Sequence, residues 1–382
     1  MLDYHLELTT SWRGYDGETC WVHARAEAIP GGNIGNPHPQ PLVVMTMQKL
    51  WLGGSDVFYG LASLWTEDLG RTWTAPQSEP VFARQCVEGN LELTVCDFTP
   101  RWHAASRILL GTGHTVYYRD NRMVPIRRRA TAYSVFDPVL RRWKPWKELI
   151  MPNRPEFANA GAGSTQRWDL SNGEILLPIY FKRPEDQIAR ATVVRCQFDG
   201  QTLTYIEHGD ELTINVPRGF SEPSLVKFAD HYFLTLRNDE KGYVTKGRDG
   251  LCFENPRPWC FDNGEELGSY NTQQHWVVHS EALFLVYTRR GAANDHVFRH
   301  RAPLFMAQID PERLCVIRST ERAIVPERGA RLGNFGVTEV SPEETWITAA
   351  EWMQPMGCER YGSDNTVWVA KLHWNRLNRA AF

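Results

Sequence analysis

Short apolar runs bounded by Gly, Pro, Asp and Asn recur from one end of the chain to the other, and long stretches with helical spacing are hard to find. That pattern predicts strands joined by tight turns. One series of apolar runs with a polar end reads Pro41–Gln48, Arg107–Thr115, Glu174–Lys182, Tyr232–Asp239, Leu283–Arg290 and Thr345–Trp352. A second series ends on turn aspartates Asp68, Asp137, Asp199, Asp249 and Asp310, about 50 to 70 residues apart, and the run Val367–His373 lies a similar distance on. A repeat of that length predicts an all-β fold, a six-bladed β-propeller of four-stranded antiparallel blades. The alternating segment Tyr4–Leu8 is placed to supply the outer strand of the last blade, closing one domain over residues 1–382.

Length alone would suggest two or three domains, but closed all-β folds run longer as one unit. The 42 Lys and Arg against 45 Asp and Glu leave a formal net charge of −3, which argues against a nucleic-acid partner. The 15 Trp are explained largely by aromatic packing between blades. No apolar run reaches the roughly 18 residues of a membrane-spanning helix, so no membrane partner is expected. Met1–Thr10 has no basic region followed by an apolar one, so the expected location is the cytoplasm, or outside the cell if a signal has been removed. Eight scattered cysteines without a C-x-x-C pair read as reduced thiols, with no metal site and no cofactor expected.

The clearest local motif is Thr66-Glu67-Asp68-Leu69-Gly70-Arg71-Thr72-Trp73. Its aspartate would accept from turn amides, Gly70 would take positive φ and Trp73 would pack beneath. It resembles the Asp box, or BNR repeat, of the sialidase-like β-propellers. Further segments extend the resemblance. Glu222 in Ser221-Glu222-Pro223-Ser224 and Arg237 at the end of the next run are similar to the family's glutamate that assists the nucleophile and its second arginine. Arg301, just ahead of the run to Asp310, is similar to the third arginine, and Arg25 to the first. Glu351 falls where the family orients that first arginine. Asp56, twelve residues before Asp68, falls where the family has its acid/base aspartate.

The resemblance implies an exo-acting glycoside hydrolase that removes a terminal carboxylated sugar, most simply an exo-α-sialidase, with an acidic oligosaccharide or glycoconjugate as partner. Three guanidiniums converging on one carboxylate give charge-assisted, partly bidentate recognition that lysine does not copy. Asp56 would protonate the leaving oxygen of an oxocarbenium-like transition state, and Glu222 would take the proton of an attacking phenol. The family's tyrosine is missing: Gly333-Asn334-Phe335-Gly336 puts Asn334 or Phe335 in its place. Tyr180, Tyr270, Tyr287 and Tyr361 are the candidates to replace it. Other polar strand ends that would line the channel and contact sugar hydroxyls are His114, Gln166, Arg167, Tyr180, Gln273 and His275, together with Asn334. Two alternatives stay open. One is a polysaccharide lyase, or a glycosidase of rhamnose–uronate links, in which His114, Tyr180 or His275 is the base; the other is a glycan-binding propeller without catalysis.

Overall fold

The structure is a computed structural model, and it describes residues 2–124 and 128–380. Its architecture is all-β, a propeller of small antiparallel sheets. Among the described residues the strands form six such sheets in chain order. The first is built from Thr19–Ile29, Leu42–Trp51, Phe58–Thr66 and Gln77–Ser78; the second centres on Leu91–His103, Ile108–Arg119 and Thr131–Asp137. The third centres on Ile175–Phe181, Arg190–Phe198 and Leu203–His208, and the fourth on Ser221–Phe228, His231–Arg237 and Gly242–Gly247. The fifth runs through His275–His279, Ala282–Tyr287 and Leu304–Asp310. The sixth comprises Gly336–Ser341, Glu344–Ala350 and Val367–Trp374, and Tyr4–Trp12 pairs antiparallel along the last of these, Tyr4 opposite Trp374.

Uniform four-stranded blades are an element of this expectation that needs correction. The second sheet has seven strands and the third and fifth have five each, because two-residue pieces such as Arg122–Met123 and Lys147–Glu148 add to their sides.

Each pair of neighbouring sheets shares a hydrophobic cluster, which closes the ring. Ile29 and Leu42 meet Val95 and Leu109; Leu110 and Tyr133 meet Leu177 and Val194; Leu176 and Val193 meet Leu225 and Leu234. Phe233 and Val244 meet Trp276 and Leu285, Phe284 and Val286 meet Ile347 and Ala370, and Met45 and Leu64 meet Trp346 and Val369. Each fully buried side chain of this size stabilises by roughly 1.5–3 kcal/mol, so the interfaces between sheets hold the ring.

The turn aspartates work alike. The Oδ1 atoms of Asp137, Asp199, Asp249 and Asp310 each accept the amides two and three residues on. Asp68 differs by reaching four residues on, accepting from Thr72 N at 2.9 Å and Thr72 Oγ1 at 2.7 Å. Its partial burial opposes ionisation, but these bonds outweigh that and lower its pKa to about 2.

Candidate functional site

The innermost strand segments of the first five sheets each carry one non-glycine residue in the left-handed region: His23 (φ 56°), Asp97 (54°), Ser164 (55°), Glu222 (45°) and Asn271 (57°). Strand register slips at three of them, between Val22 and Arg25, Cys96 and Thr99, and Ser221 and Ser224. Such bulges re-aim side chains, and here they turn a polar group toward the channel mouth. Two residues further on, the side chains fill the channel instead.

This distinction corrects several expectations. Arg25 is fully buried below the rim, with Nη2 donating to Ser164 Oγ at 2.6 Å and Gln273 Oε1 at 3.0 Å, and lying 3.6 Å from Asp97. It is paired with its own acid and does not join Arg237 and Arg301. Gln273 spends its other amide end on the Phe335 carbonyl at 2.6 Å. Gln166 bonds the backbone of Trp276 at both ends of its amide, and His275 Nδ1 lies 2.8 Å from Ser224 Oγ. These three therefore plug the channel, and their polar atoms are committed across strands except His275 Nε2, which is buried without a hydrogen-bond partner among the described residues. Arg167 is likewise spent on the Leu110 and Arg101 carbonyls and on Asp169. Glu351 pairs with Arg328 at 3.4 Å and accepts from the Asp364 and Thr366 amides, so it orients that arginine and not Arg25.

At the rim, Asn271 Oδ1 accepts from Arg237 at 3.2 Å and Arg301 at 3.1 Å, which sets those two guanidiniums side by side. Arg237 is ion-paired with Glu222. Arg301 donates to the Asn271 carbonyl and has no carboxylate partner among the described residues. The Leu332 amide bonds the Arg301 carbonyl at 2.6 Å, and this contact brings in Arg331, which the sequence reading missed. Arg331 is buried, stacks 4.1 Å from the Trp352 ring and donates to Gln354 at 3.2 Å. The only sequence signal for it is an arginine three residues ahead of Asn334.

Electrostatics separates the arginines. Burial, then the charges of Arg237 and Arg331, push the Arg301 pKa well below its ordinary value, with Glu222 opposing. Burial lowers that of Arg331 to about 10, with Asp56 pulling the other way. At Arg237 burial is the largest influence and lowers the pKa, but Glu222 together with Asp239 and Tyr180 outweighs it and raises the value.

Asp56 is half-buried and left-handed (φ 53°), its carbonyl accepting from the Tyr118 hydroxyl at 2.8 Å. It lies near enough to His23 and Arg331 to favour their charged forms. Asp97 is an acid at the site that the sequence reading missed. It accepts from Ser164 at 2.5 Å and lies 3.3 Å from His23 and 3.6 Å from His114. Burial would raise its pKa, but His23, His114, Arg25 and Ser164 together hold it well below the usual carboxylate range. Burial lowers the pKa of His23, against Asp97. Asn334 Nδ2 sits 2.8 Å from His23 Nε2.

Of the candidate tyrosines, Tyr287 is bonded to Glu321 at 2.6 Å, Tyr270 to His300 at 2.6 Å, and Tyr361 stacks on His296. Tyr180 alone meets this group: its hydroxyl is 3.2 Å from His114 Nδ1, and burial raises its pKa far above normal. Cys96, Asp97 and His114 bring donor atoms within 4.8 Å of one another, a geometry that could take a metal ion, but Arg25 and Ser164 already occupy the Asp97 carboxylate.

Two glycines admit this packing. A Cβ on Gly163 would overlap the His114 ring, and one on Gly336 would come within 2.8 Å of Arg25 Cα. Gly163→Ala is therefore expected to displace His114 at an overpacking cost of about 1–3 kcal/mol. Thermal melts check it, and an unchanged melting temperature would show that the His114 ring gives way without cost.

Deeper in the channel, Glu27 and Glu339 flank Arg101. Burial, opposed by Arg101, raises Glu27 to about 8 from a model-compound value of 4.5, and burial raises Glu339 as well. A raised carboxyl is protonated in the fold, so its contribution is complete below the unfolded value and disappears as pH climbs through about 8. Glu27→Gln, which mimics the protonated form, should stabilise by about 2–4 kcal/mol more at pH 9 than at pH 5. Equal effects in melts at the two pH values would contradict this.

No protein-family model matches the chain, and no curated protein matches it in sequence. Solved structures do match in fold. A Trypanosoma rangeli sialidase, solved with the inhibitor DANA, superposes with a TM-score of 0.63 at 11% identity over 96% of this chain. The chain has the fold of a sialidase-like β-propeller. It spans 59% of the length of that sialidase and 71% of the NanB sialidase from Streptococcus pneumoniae, which superposes at 0.61 with 11% identity over 97% of the chain. An α-L-arabinofuranosidase from Fusarium graminearum is similar over 94% of both chains, at 0.59 and 9% identity. All three are glycoside hydrolases, and at this identity they show the fold of the sialidase-like propeller alone. No helix among its described residues is long and apolar enough to cross a membrane.

Proposed function

We propose that each of the six sheets is one blade and that the channel mouth is the active site of an exo-acting glycosidase removing a terminal carboxylated sugar, sialic acid being the simplest. Arg301 carries this reading. A buried guanidinium without an acid partner, beside other cations, is costly to fold and calls for an anion from outside. The carboxylate clamp is then Arg237, Arg301 and Arg331, with Arg331 in the part first given to Arg25. Asp56 donates the proton to the leaving oxygen. Because Asn334 replaces the tyrosine, water attacks, giving its proton to His23, whose low pKa leaves it able to accept and whose resulting charge faces Asp97.

One observation favours a second reading. Tyr180 beside His114, with Arg129 stacked 4.1 Å over its ring, is a group of the kind that β-elimination from a uronate needs. A panel of glycosides ending in sialic or uronic acids separates the possibilities. Release of the free acid with water added supports hydrolysis. An unsaturated product with new ultraviolet absorbance would replace it with a lyase, and binding without turnover would leave a glycan-binding propeller.

A further inference from the structure

On the same face as the rim, between the second and third sheets, lies a cavity of about 750 Å3. Its floor is tied together by backbone bonds, Ala160 N to Arg129 O at 3.0 Å and Lys182 N to Asn159 O at 3.0 Å. Its wall is formed by the connection between those sheets, with the turn Pro155–Ala158 at its end. The volume lies within the range of small-molecule sites.

Its lining carries more cations than acids. Arg128, Arg129, Arg154, Lys182 and Arg183 line it, against the single acid Asp186, which is committed to Arg190 at 3.0 Å. Arg128 and Arg183 hold acids of their own, Glu148 and Glu211, and Arg154 is 3.9 Å from Glu156. Lys182 has no ion pair among the described residues. Ile150, 75% exposed, offers an apolar face beside these charges. Cations around an apolar patch are what an anionic sugar ring presents the complement to, charged at its substituents and apolar on its C–H face.

The cavity is also wired to the rim. Arg129 donates to the Tyr180 carbonyl at 3.1 Å and stacks on its ring, and Tyr180 in turn reaches His114 and, through it, Asp97. A glycan whose terminal acid sits at Arg301 would thus find a second cationic stop further out on the same face.

We propose that this cavity is a second subsite for an anionic sugar, so that the preferred substrate is a polyanionic glycan, bearing carboxylates or sulfates on successive residues, rather than a lone acidic cap on a neutral chain. The proposal rests on the glycosidase reading for its substrate but not for its test. Binding is measured by calorimetry on the full chain carrying Asp56→Asn, which blocks turnover. The probes are an oligouronate, a sulfated oligosaccharide of equal length and an acidic monosaccharide. Adding Lys182→Ala is expected to weaken oligosaccharide binding about tenfold and Lys182→Ala with Arg154→Ala further, with Lys182→Arg restoring it and monosaccharide binding unchanged. The effect should shrink at high salt. Whichever oligosaccharide shows the loss names the anion. Unchanged oligosaccharide binding in variants that melt like the parent overturns the subsite, as does equal weakening of the monosaccharide. If Arg301→Ala leaves monosaccharide binding intact while the Lys182 variants lose the oligosaccharide, the subsite stands and the glycosidase reading falls.

Discussion

Arg301→Ala is expected to reduce kcat/KM on acidic glycosides by about 30- to 4,000-fold, the 2–5 kcal/mol that losing one partner of a buried charge pair costs, while leaving the melting temperature unchanged or higher. The two halves of this outcome belong together. Arg301 is 4% exposed, without a carboxylate partner, beside Arg237 and Arg331. Deleting it removes a desolvated charge and relieves repulsion, which offsets the lost bond to Asn271 and the cavity left behind. Arg237→Ala makes the contrast. It strands Glu222, so it should lose about 3–5 kcal/mol of stability, and its lost activity would say little about recognition. Parallel kinetics and thermal melts of the two variants decide the matter. An Arg301→Ala protein that melts far below the parent, or one that retains full turnover, would show that this guanidinium serves the fold.

Asp56→Asn should cost about 100- to 10,000-fold in turnover of natural glycosides, the span of general acid catalysis. The informative measurement is the leaving-group series. A proton donor matters when the departing oxygen is basic and hardly at all when it leaves as a stabilised phenolate. The variant should therefore approach parental rates on a nitrophenyl glycoside and remain crippled on a sugar alcohol leaving group. A loss of equal size on both would move Asp56 from acid to a binding role.

Much of the scaffold was legible because its signals are local. Strand alternation and the turn aspartates are written in adjacent residues, and the six apolar runs from Pro41–Gln48 to Thr345–Trp352 match the observed second strands to within a few positions. Which side chains face the mouth was less legible, and strand bulges are one reason. A bulge shifts the side chain that faces the mouth by two residues, and no composition marks where the bulge falls. Arg25 was placed at the rim because it is an arginine near a strand end; the left-handed turn at His23 puts His23 there and sends Arg25 into the channel. Asp97 and Ser164 sit at the same step of their own repeats and carry no motif of their own. Arg331 needed a contact between distant segments, Leu332 with Arg301, that only the folded ring creates. Arg237 and Glu222, singled out by their segments, are ion-paired, and Asp56, singled out likewise, lies near enough to Arg331 to favour its charged form.

The five left-handed rim positions carry an implication for how such a chemistry can change. Glycine would adopt that backbone without strain, whereas each L side chain pays about 1–2 kcal/mol to do so. The molecule thus forgoes stability at five separate points to keep a substituent over the opening. Since the backbone at each point is fixed by its own strand and not by its neighbours, one substituent can be exchanged for another without redrawing the rest. A ring organised this way lets the groups over its opening change blade by blade, while the architecture underneath is untouched.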